Sequence, residues 1–329
     1  MPARSNRAWR IVGRRLLQVV PTTLGVVTLS FFLIKLAPGD AADVLVGEAG
    51  FATAETTAQL RKHLGLDVPA LDQLLNYLGH LVRLNLGVSP RYNVPVSALI
   101  GERLGNTLIL MLSALSIALL VGVSFGTVMA SNYRRWPDKW LSGLSLLLYS
   151  TPTFWTGLIA VGVFSVRLGW FPTGGSATIS GPKHGVAQLW DLLQHLTLPA
   201  LTLSSFFIAF FARMTRASML DVMGQDHVRT AIAKGLGPVT VTLRHVLRNA
   251  LIPVVTVAGM NLATILSGAV VIEALYRWPG LGRLAYESLI ARDFNVLLGL
   301  LLLSSLLVML TNLIVDLIYF WLDPRVELD

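Results

Sequence analysis

The residue types that perform chemistry in enzymes are few in this sequence, and their spacing forms no catalytic or metal-binding pattern. The chain contains no cysteine, which excludes disulfides, thiolate nucleophiles and cysteine-bound metals. Its six histidines are scattered, and neither an H-E-x-x-H motif nor a Walker A pattern (G-x-x-x-x-G-K-[ST]) occurs. We therefore expect no catalytic residue, no metal site, no bound cofactor and no ATP site of the Walker type in this chain.

Ionisable residues inside apolar stretches are the remaining candidates for function. Lys35 and Glu273 lie near the ends of such stretches, where long side chains reach the membrane interface. Glu273 and Arg277 have the i,i+4 spacing of a helical ion pair, and Asp316 interrupts a long apolar run. Glu273, Arg277 and Asp316 are candidates for a gate or for structural contacts, and a structural role is favoured for each.

The overall composition indicates which class of protein contains these residues. Hydrophobic residues make up 54% of the chain and charged residues 13%, with a mean hydropathy of +0.65. A soluble domain carries about 25% charged residues, so the composition excludes an ordinary soluble enzyme. The net charge of +8 suggests loops that face anionic lipid on the cytoplasmic side of a membrane rather than a nucleic-acid partner.

Six apolar stretches are about long enough to cross a bilayer, which takes roughly 20 residues. The weakest is the fourth, which is short and contains Pro199. The predicted spans are residues 16–36, 104–130, 140–166, 196–212, 250–275 and 296–321. The sequence thus predicts an all-α integral membrane protein with six transmembrane helices.

Basic residues predict the orientation of these spans. They concentrate in the N-terminal tail, in the loop after the second span and between the fourth and fifth spans. The positive-inside rule then places both termini and residues 213–249 in the cytoplasm. Residues 37–103, which include an amphipathic run over 59–86, lie on the opposite side as a small cap.

The cytoplasmic segment 213–249 is more structured than a connecting loop requires. Its pattern predicts two short amphipathic helices, broken at residues 235–238 (GLGP) because glycine and proline interrupt a helix. A basic loop that only satisfies the topology rule is the alternative interpretation.

The segment 219–253 resembles the coupling segment, or EAA loop, of bacterial ABC importer permeases. In detail it is similar to the permease B subunit of the oligopeptide/dipeptide/nickel class. At the positions of the general Glu-Ala-Ala motif this sequence has Arg229, Thr230 and Ala231, a variant that the peptide-type branch resembles. Further similar segments are RRLLQVVP (14–21), LAPGD (36–40), LGLD (64–67), ERLGNT (102–107), TPTF (151–154), WPGLG (278–282) and LDPR (322–325). The resemblance covers nearly the whole chain and implies the type I ABC importer permease fold.

The resemblance also implies how individual residues act. A surface helix would insert into a groove of an ATPase subunit, with Val228 and Ile232 as apolar anchors. Small residues (Ala231, Ala233 and Gly235) would allow close approach. The whole implied coupling set is Asp226, Val228, Arg229, Thr230, Ala231, Ile232, Ala233, Lys234 and Gly235.

The implied function is that of a permease subunit in the bacterial inner membrane, most plausibly for oligopeptides or dipeptides. Implied partners are a second permease forming a heterodimeric pore, two ATPase subunits that hold ATP and magnesium, and an external substrate-binding protein. The implied division of the chain is 1–36 for the tail and first span, 37–103 for the cap, 104–322 for the permease core and 323–329 for the tail. Nickel, glutathione or another small solute remains open as cargo, as does a self-contained secondary transporter.

Overall fold

The fold is described from a computed structural model, in which residues 2–36, 39–49, 53–179, 181 and 184–322 are described. Within these residues the chain is helical, and the β-type pairing is an isolated bridge between Val88 and Pro95. The all-α prediction is therefore confirmed. The helices are α1 (Pro2–Lys35), α2 (Ala41–Ala49), α3 (Ala54–His63), α4 (Ala70–Val82), α5 (Val96–Ser131), α6 (Trp136–Ser150), α7 (Thr153–Ala160, continued by a π-helix over Val161–Arg167), α8 (Gly185–Met223), α9 (Asp226–Ala233), α10 (Pro238–Met260, with a π-helical stretch over Val241–Leu247), α11 (Leu262–Leu275), α12 (Leu281–Ile290) and α13 (Phe294–Leu322).

Five of the helices in the described part of the chain are long and apolar enough to cross a membrane. These spans are Leu17–Lys35, Val96–Ser131, Gly185–Met223, Pro238–Met260 and Phe294–Ile314. Helices α6 and α7 pass the same test together but are bent by 102° at their junction. The predicted six spans are reached when this bent pair is counted as one.

The bend in the predicted third span has a local cause. Thr151 precedes Pro152, and the proline ring disfavours helical backbone angles in the residue before it. Thr151 accordingly has extended angles (φ −84°, ψ 126°), and α7 begins after the proline. A span predicted as continuous over residues 140–166 is therefore two helices.

The predicted fifth span, residues 250–275, also differs from the structure. Helix α10 begins at Pro238, twelve residues before the predicted start, and it ends at Met260. Helix α11 follows after Asn261, whose side-chain amide donates to the carbonyl of Val257 at 2.9 Å. The second helix predicted within residues 213–249 is thus the first part of a long membrane helix.

The described chain forms two compact units. One comprises residues up to Asn106 together with Pro279–Asp316, and the core of this unit contains two apolar clusters. The first cluster joins the start of α5 to α12 and α13; the second joins α1, α4 and α13. In α4, Leu74 and Tyr77 are buried, whereas Leu71 and Leu75 face outward, so only part of the predicted amphipathic face packs inside.

The other unit contains Thr107–Trp278, and its core is organised around α8. Two glycines of α5 allow close packing there. A Cβ atom at Gly122 would lie 2.8 Å from the Cβ of Phe211, and one at Gly126 would lie 2.5 Å from the Cβ of Thr215. These distances are too short for any side chain, so the small residues serve packing within the chain.

Candidate functional site

Helix α9 is a short helix held between two long ones, and it contains most of the predicted coupling residues. Helix α8 ends at Met223, Gln225 has extended backbone angles, and α9 then runs over Asp226–Ala233. After four non-helical residues, Pro238 opens α10 at a first-turn position, where its missing N–H leaves no bond unmade. The predicted break at residues 235–238 is confirmed, and it separates α9 from a membrane helix.

One face of α9 belongs to the chain's own core. Val228 is 2% exposed and Ala231 is 4% exposed. They pack in one cluster whose other buried members come from the ends of α5, α8 and α10: Ala130, Met219, Val222, Val241, Val246 and Ala250. Because its apolar side chains are buried here, this helix has a fixed orientation on the rest of the unit.

The rest of the α9 surface is exposed, and it includes an apolar residue at the edge of the buried stripe, four residues after Val228. Ile232 is 59% exposed, and Leu236 and Val239 extend the apolar surface beyond the helix. The ion pair between Arg229 and Asp226 spans 3.6 Å between exposed groups and contributes little stability. The exposed members of the predicted coupling set are Asp226, Arg229, Thr230, Ile232, Ala233, Lys234 and Gly235.

Gly235 ends α9 in a left-handed turn. Its φ is +77°, its N–H donates to the carbonyl of Ile232 at 2.9 Å, and the N–H of Leu236 donates to the carbonyl of Ala231 at 3.3 Å. This pair of bonds is the Schellman motif, in which glycine is the favoured residue. Among the described residues no atom lies within 4 Å of a Cβ built at this position, so the backbone angle, and not crowding within the chain, favours glycine.

Polar contacts also join α9 to α10. The side-chain amide of Asn249 lies 3.0 Å from Nε2 of His227 and donates to the carbonyl of His245 at 3.0 Å. Ser218 of α8 donates to the carbonyl of Ala250 at 3.0 Å. A displacement of α9 would therefore be passed to the start of α10 through both packing and hydrogen bonds.

A buried ion pair near this site was missed by the sequence analysis. Arg216 contacts both carboxylate oxygens of Asp138, with Nε at 2.7 Å and Nη2 at 2.9 Å, and Asp138 is 3% exposed. The backbone N–H of Arg134 donates to the same carboxylate at 2.8 Å. The bidentate pair joins α6 to α8, although the two residues lie 78 positions apart and Arg216 was assigned to a loop.

Two of the candidate gate residues lie in the last turn of α11 and just beyond it. Glu273 is fully buried and accepts a hydrogen bond from Oγ1 of Thr107 at 2.7 Å. Helix α11 ends at Leu275, and Arg277 lies beyond it with φ +50°, so the two residues do not belong to one continuous helix. Asp316 belongs to α13, but its side chain lies outside the described part. No group of three or more potential metal ligands occurs among the described residues.

The helices of this chain are arranged as in the type I ABC importer permease fold. A solved structure titled "Inward facing conformations of the MetNI methionine ABC transporter" matches with a TM-score of 0.57 and 18% identity. The match covers 69% of this chain and 97% of the other. At this identity the likeness concerns the fold.

The family itself follows from the sequence comparisons. Residues 122–328 match the family described as "Binding-protein-dependent transport system inner membrane component", and the chain belongs to this family. The oligopeptide transport system permease protein AppB of Bacillus subtilis is 40% identical over 95% of this chain and 98% of its own length. The di/tripeptide transport system permease protein DppB of Pseudomonas aeruginosa is 39% identical, over 96% and 98%. The resemblance found in the sequence is therefore confirmed.

Proposed function

We propose that this chain is the permease subunit of an ATP-driven, substrate-binding-protein-dependent importer of oligopeptides or dipeptides. The names of the relatives AppB and DppB support a peptide cargo. Both matches cover nearly the full length of the chains compared, which argues for a common architecture. Nickel, glutathione and other small solutes are the competing cargoes.

The observation that supports the coupling role is that α9 is buried against its own chain on one side and exposed over the rest of its surface. Val228 and Ala231 fix the helix to the chain, so their part in coupling is to anchor it. The exposed surface around Ile232 would enter a groove of the ATPase subunit, and these side chains would then be shielded from water. Movement of that groove would then reach α10 through the shared cluster and through the contacts of Asn249.

The chain performs no chemistry in this scheme. ATP and magnesium would be bound by two separate ATPase subunits, and a second permease would complete the pore as a heterodimer. An external binding protein would deliver the cargo, and no nucleic acid takes part. The basic tail and the basic segment 213–249 support a cytoplasmic location of both termini, with the cap 37–103 outside.

Two isoleucines of matched exposure test the coupling surface. Ile232 is 59% exposed on α9, and Ile290 is 62% exposed on α12. At matched membrane levels, Ile232→Asp should reduce co-purification of the ATPase subunits by about tenfold, the scale of a central interface residue. Ile290→Asp should leave co-purification unchanged. Equal retention by both variants would remove α9 from the interface.

Uptake assays test the cargo and the energy source together. In a strain lacking this chain, the cloned gene should restore uptake of labelled dipeptides or oligopeptides only when the ATPase genes are present. Nickel and glutathione are assayed in parallel. Uptake that persists without the ATPase genes would favour a self-contained secondary transporter instead.

Single cysteines test the orientation, since the chain has none of its own. Cysteines at Ala58 and Gln225 should react with an impermeant reagent from opposite faces of the membrane. Labelling of both from one face would contradict the proposed topology.

A further inference from the structure

A cavity of about 230 Å³ lies in the unit that contains the cap, beside the end of α1. Its walls come from α1, α4 and the start of α13, together with the backbone near Gly65 and Gly87. Lys35 and Phe294, at adjoining ends of two candidate membrane spans, both line it. The cavity is therefore placed at the end of the apolar part of the chain, where lipid headgroups lie.

The cation in this cavity has no anionic partner in contact with it among the described residues. The ammonium of Lys35 lies 5.5 Å from the ring centre of Phe294 and 6.0 Å from that of Phe31. Among the residues that the structure describes, no carboxylate forms an ion pair with it. Asp40 attracts Lys35 only from a distance, because its own oxygens accept from Nε of Arg61 at 2.8 Å and from the backbone N–H of Asp43 at 3.1 Å.

A second wall of the cavity has an unused hydrogen-bond donor. Tyr77 is 9% exposed, and its hydroxyl has no partner within the described residues. Burial raises the pKa of Tyr77 to about 12, so the hydroxyl stays protonated and available to donate. A ligand with oxygen acceptors would supply the hydrogen bond that this buried hydroxyl lacks.

Four further polar side chains line the cavity, those of Gln73, Asn76, His80 and Asn295, and two of them are already engaged. The side-chain amide nitrogen of Gln73 already donates to the carbonyls of Leu66 and Val68, and that of Asn295 donates to the carbonyl of Val88. A half-buried ammonium, a free hydroxyl and aromatic walls together favour a compact oxyanion over a cation or a neutral apolar molecule.

We propose that this cavity binds a phosphate group through the ammonium of Lys35 and the hydroxyl of Tyr77. Two sources share this chemistry: the headgroup of a phospholipid and free inorganic phosphate. The outward-facing apolar side chains of Leu29, Leu33 and Leu36 on α1 would contact acyl chains in the first case. The site is separate from the coupling surface and does not depend on the cargo.

Native mass spectrometry of the full chain, titrated with dioleoylphosphatidylglycerol, tests the site. Lys35→Gln should weaken the tightest lipid adduct by about tenfold, the loss expected for a charge-assisted bond. Tyr77→Phe, which keeps the ring and its packing, should weaken it by about threefold. The matched controls are Lys62→Gln and Tyr286→Phe, whose side chains are exposed away from the cavity.

Excess inorganic phosphate distinguishes the two sources. If the lipid adduct persists in excess phosphate, the site belongs to the lipid headgroup. If phosphate displaces the lipid, and phosphate is retained only when Lys35 is present, the site belongs to the free anion. Equal lipid binding by the wild type, Lys35→Gln and Tyr77→Phe would overturn the proposal. So would an equal loss in Lys62→Gln, because the effect would then be one of net charge. If Lys35→Gln does not accumulate, Tyr77→Phe and its control carry the test.

Discussion

Two short helices of this protein, α9 and α12, end in the same way but are built differently. Each closes with the two backbone hydrogen bonds of a Schellman motif. The longer-range bond of the two runs from the N–H of Leu236 to the carbonyl of Ala231 in α9, and from the N–H of Asp293 to the carbonyl of Ser288 in α12. The residue with positive φ is Gly235 in the first helix and Arg292, at +55°, in the second. A left-handed turn therefore does not by itself require glycine.

The surroundings of the two turns explain the difference. After Arg292, the carboxylate of Asp293 accepts a hydrogen bond from Ser89 and another from the backbone N–H of Val296, so α13 begins at once on a fixed support. After Gly235 the chain runs through exposed residues to Pro238. The hydrogen bonds of Asp293 hold the strained backbone of Arg292 in the turn after α12, whereas the turn after α9 relies on glycine.

The largest expected difference between the two helices is in their anchoring. Leu284 of α12 is fully buried, and Leu284→Ala should cost about 2–5 kcal/mol of unfolding free energy. Val228→Ala in α9 removes a smaller side-chain volume and should cost about 1–3 kcal/mol. Denaturant unfolding in detergent measures both, and a greater loss for Val228→Ala would reverse the comparison.

The next largest effect concerns the turn at Gly235. Gly235→Val should leave membrane abundance near normal, reduce uptake sharply and weaken co-purification of the ATPase subunits, since a branched residue at positive φ costs about 1–2 kcal/mol. Gly235→Asn tolerates the same angle and should retain most of the uptake if backbone strain is the cause. Failure of both variants would instead indicate that a partner needs the space.

The third prediction compares the carboxylates of the two helices. Burial raises the pKa of Asp293, partly offset by bonds from Ser89 and Val296. The folded state therefore holds this proton more tightly than the unfolded state, and stability should fall as the pH rises above about 4, the ordinary aspartate value. Asp293→Asn should flatten the profile of unfolding midpoint against pH. Asp226→Asn, on the exposed α9, controls for loss of one charge, and an unchanged slope in Asp293→Asn would contradict the assignment.

The smallest effect is expected at Arg292. Arg292→Gly relieves the positive φ but adds backbone freedom to the unfolded chain, so the net gain should be about 0.5 kcal/mol. The same denaturation assay measures it. A loss of stability would mean that the arginine side chain, and not only its backbone, holds the turn.

Local patterns predicted much of the fold and the outline of the candidate site. The apolar stretches located the membrane helices, and the GLGP stretch located the end of α9. The face that α9 presents could not be predicted, because Val228 and Ile232 are both apolar and only packing shows which one is buried. The resemblance to a permease family named both as anchors, and the structure separates them.

Contacts between distant residues account for most of what was missed. Helix α8 is 39 residues long, whereas the predicted fourth span stopped at residue 212. Arg216 interrupts the apolar pattern there, but Asp138 neutralises it inside the protein. Glu273 likewise has a hydrogen-bond partner far away in sequence, Thr107, which no local pattern indicates.

The sequence by itself determined the all-α membrane class, the family and the local break at Gly235; the break at Pro152 has an equally local cause, although the third span was predicted as continuous. These depend on composition, on periodicity and on backbone angles, which neighbouring residues set. The tertiary structure alone decided which side of α9 is buried, how far α8 and α10 extend, and which lysine contacts no acidic residue within the described part of the chain. Those outcomes depend on which distant side chains meet, and local sequence carries no record of such pairings.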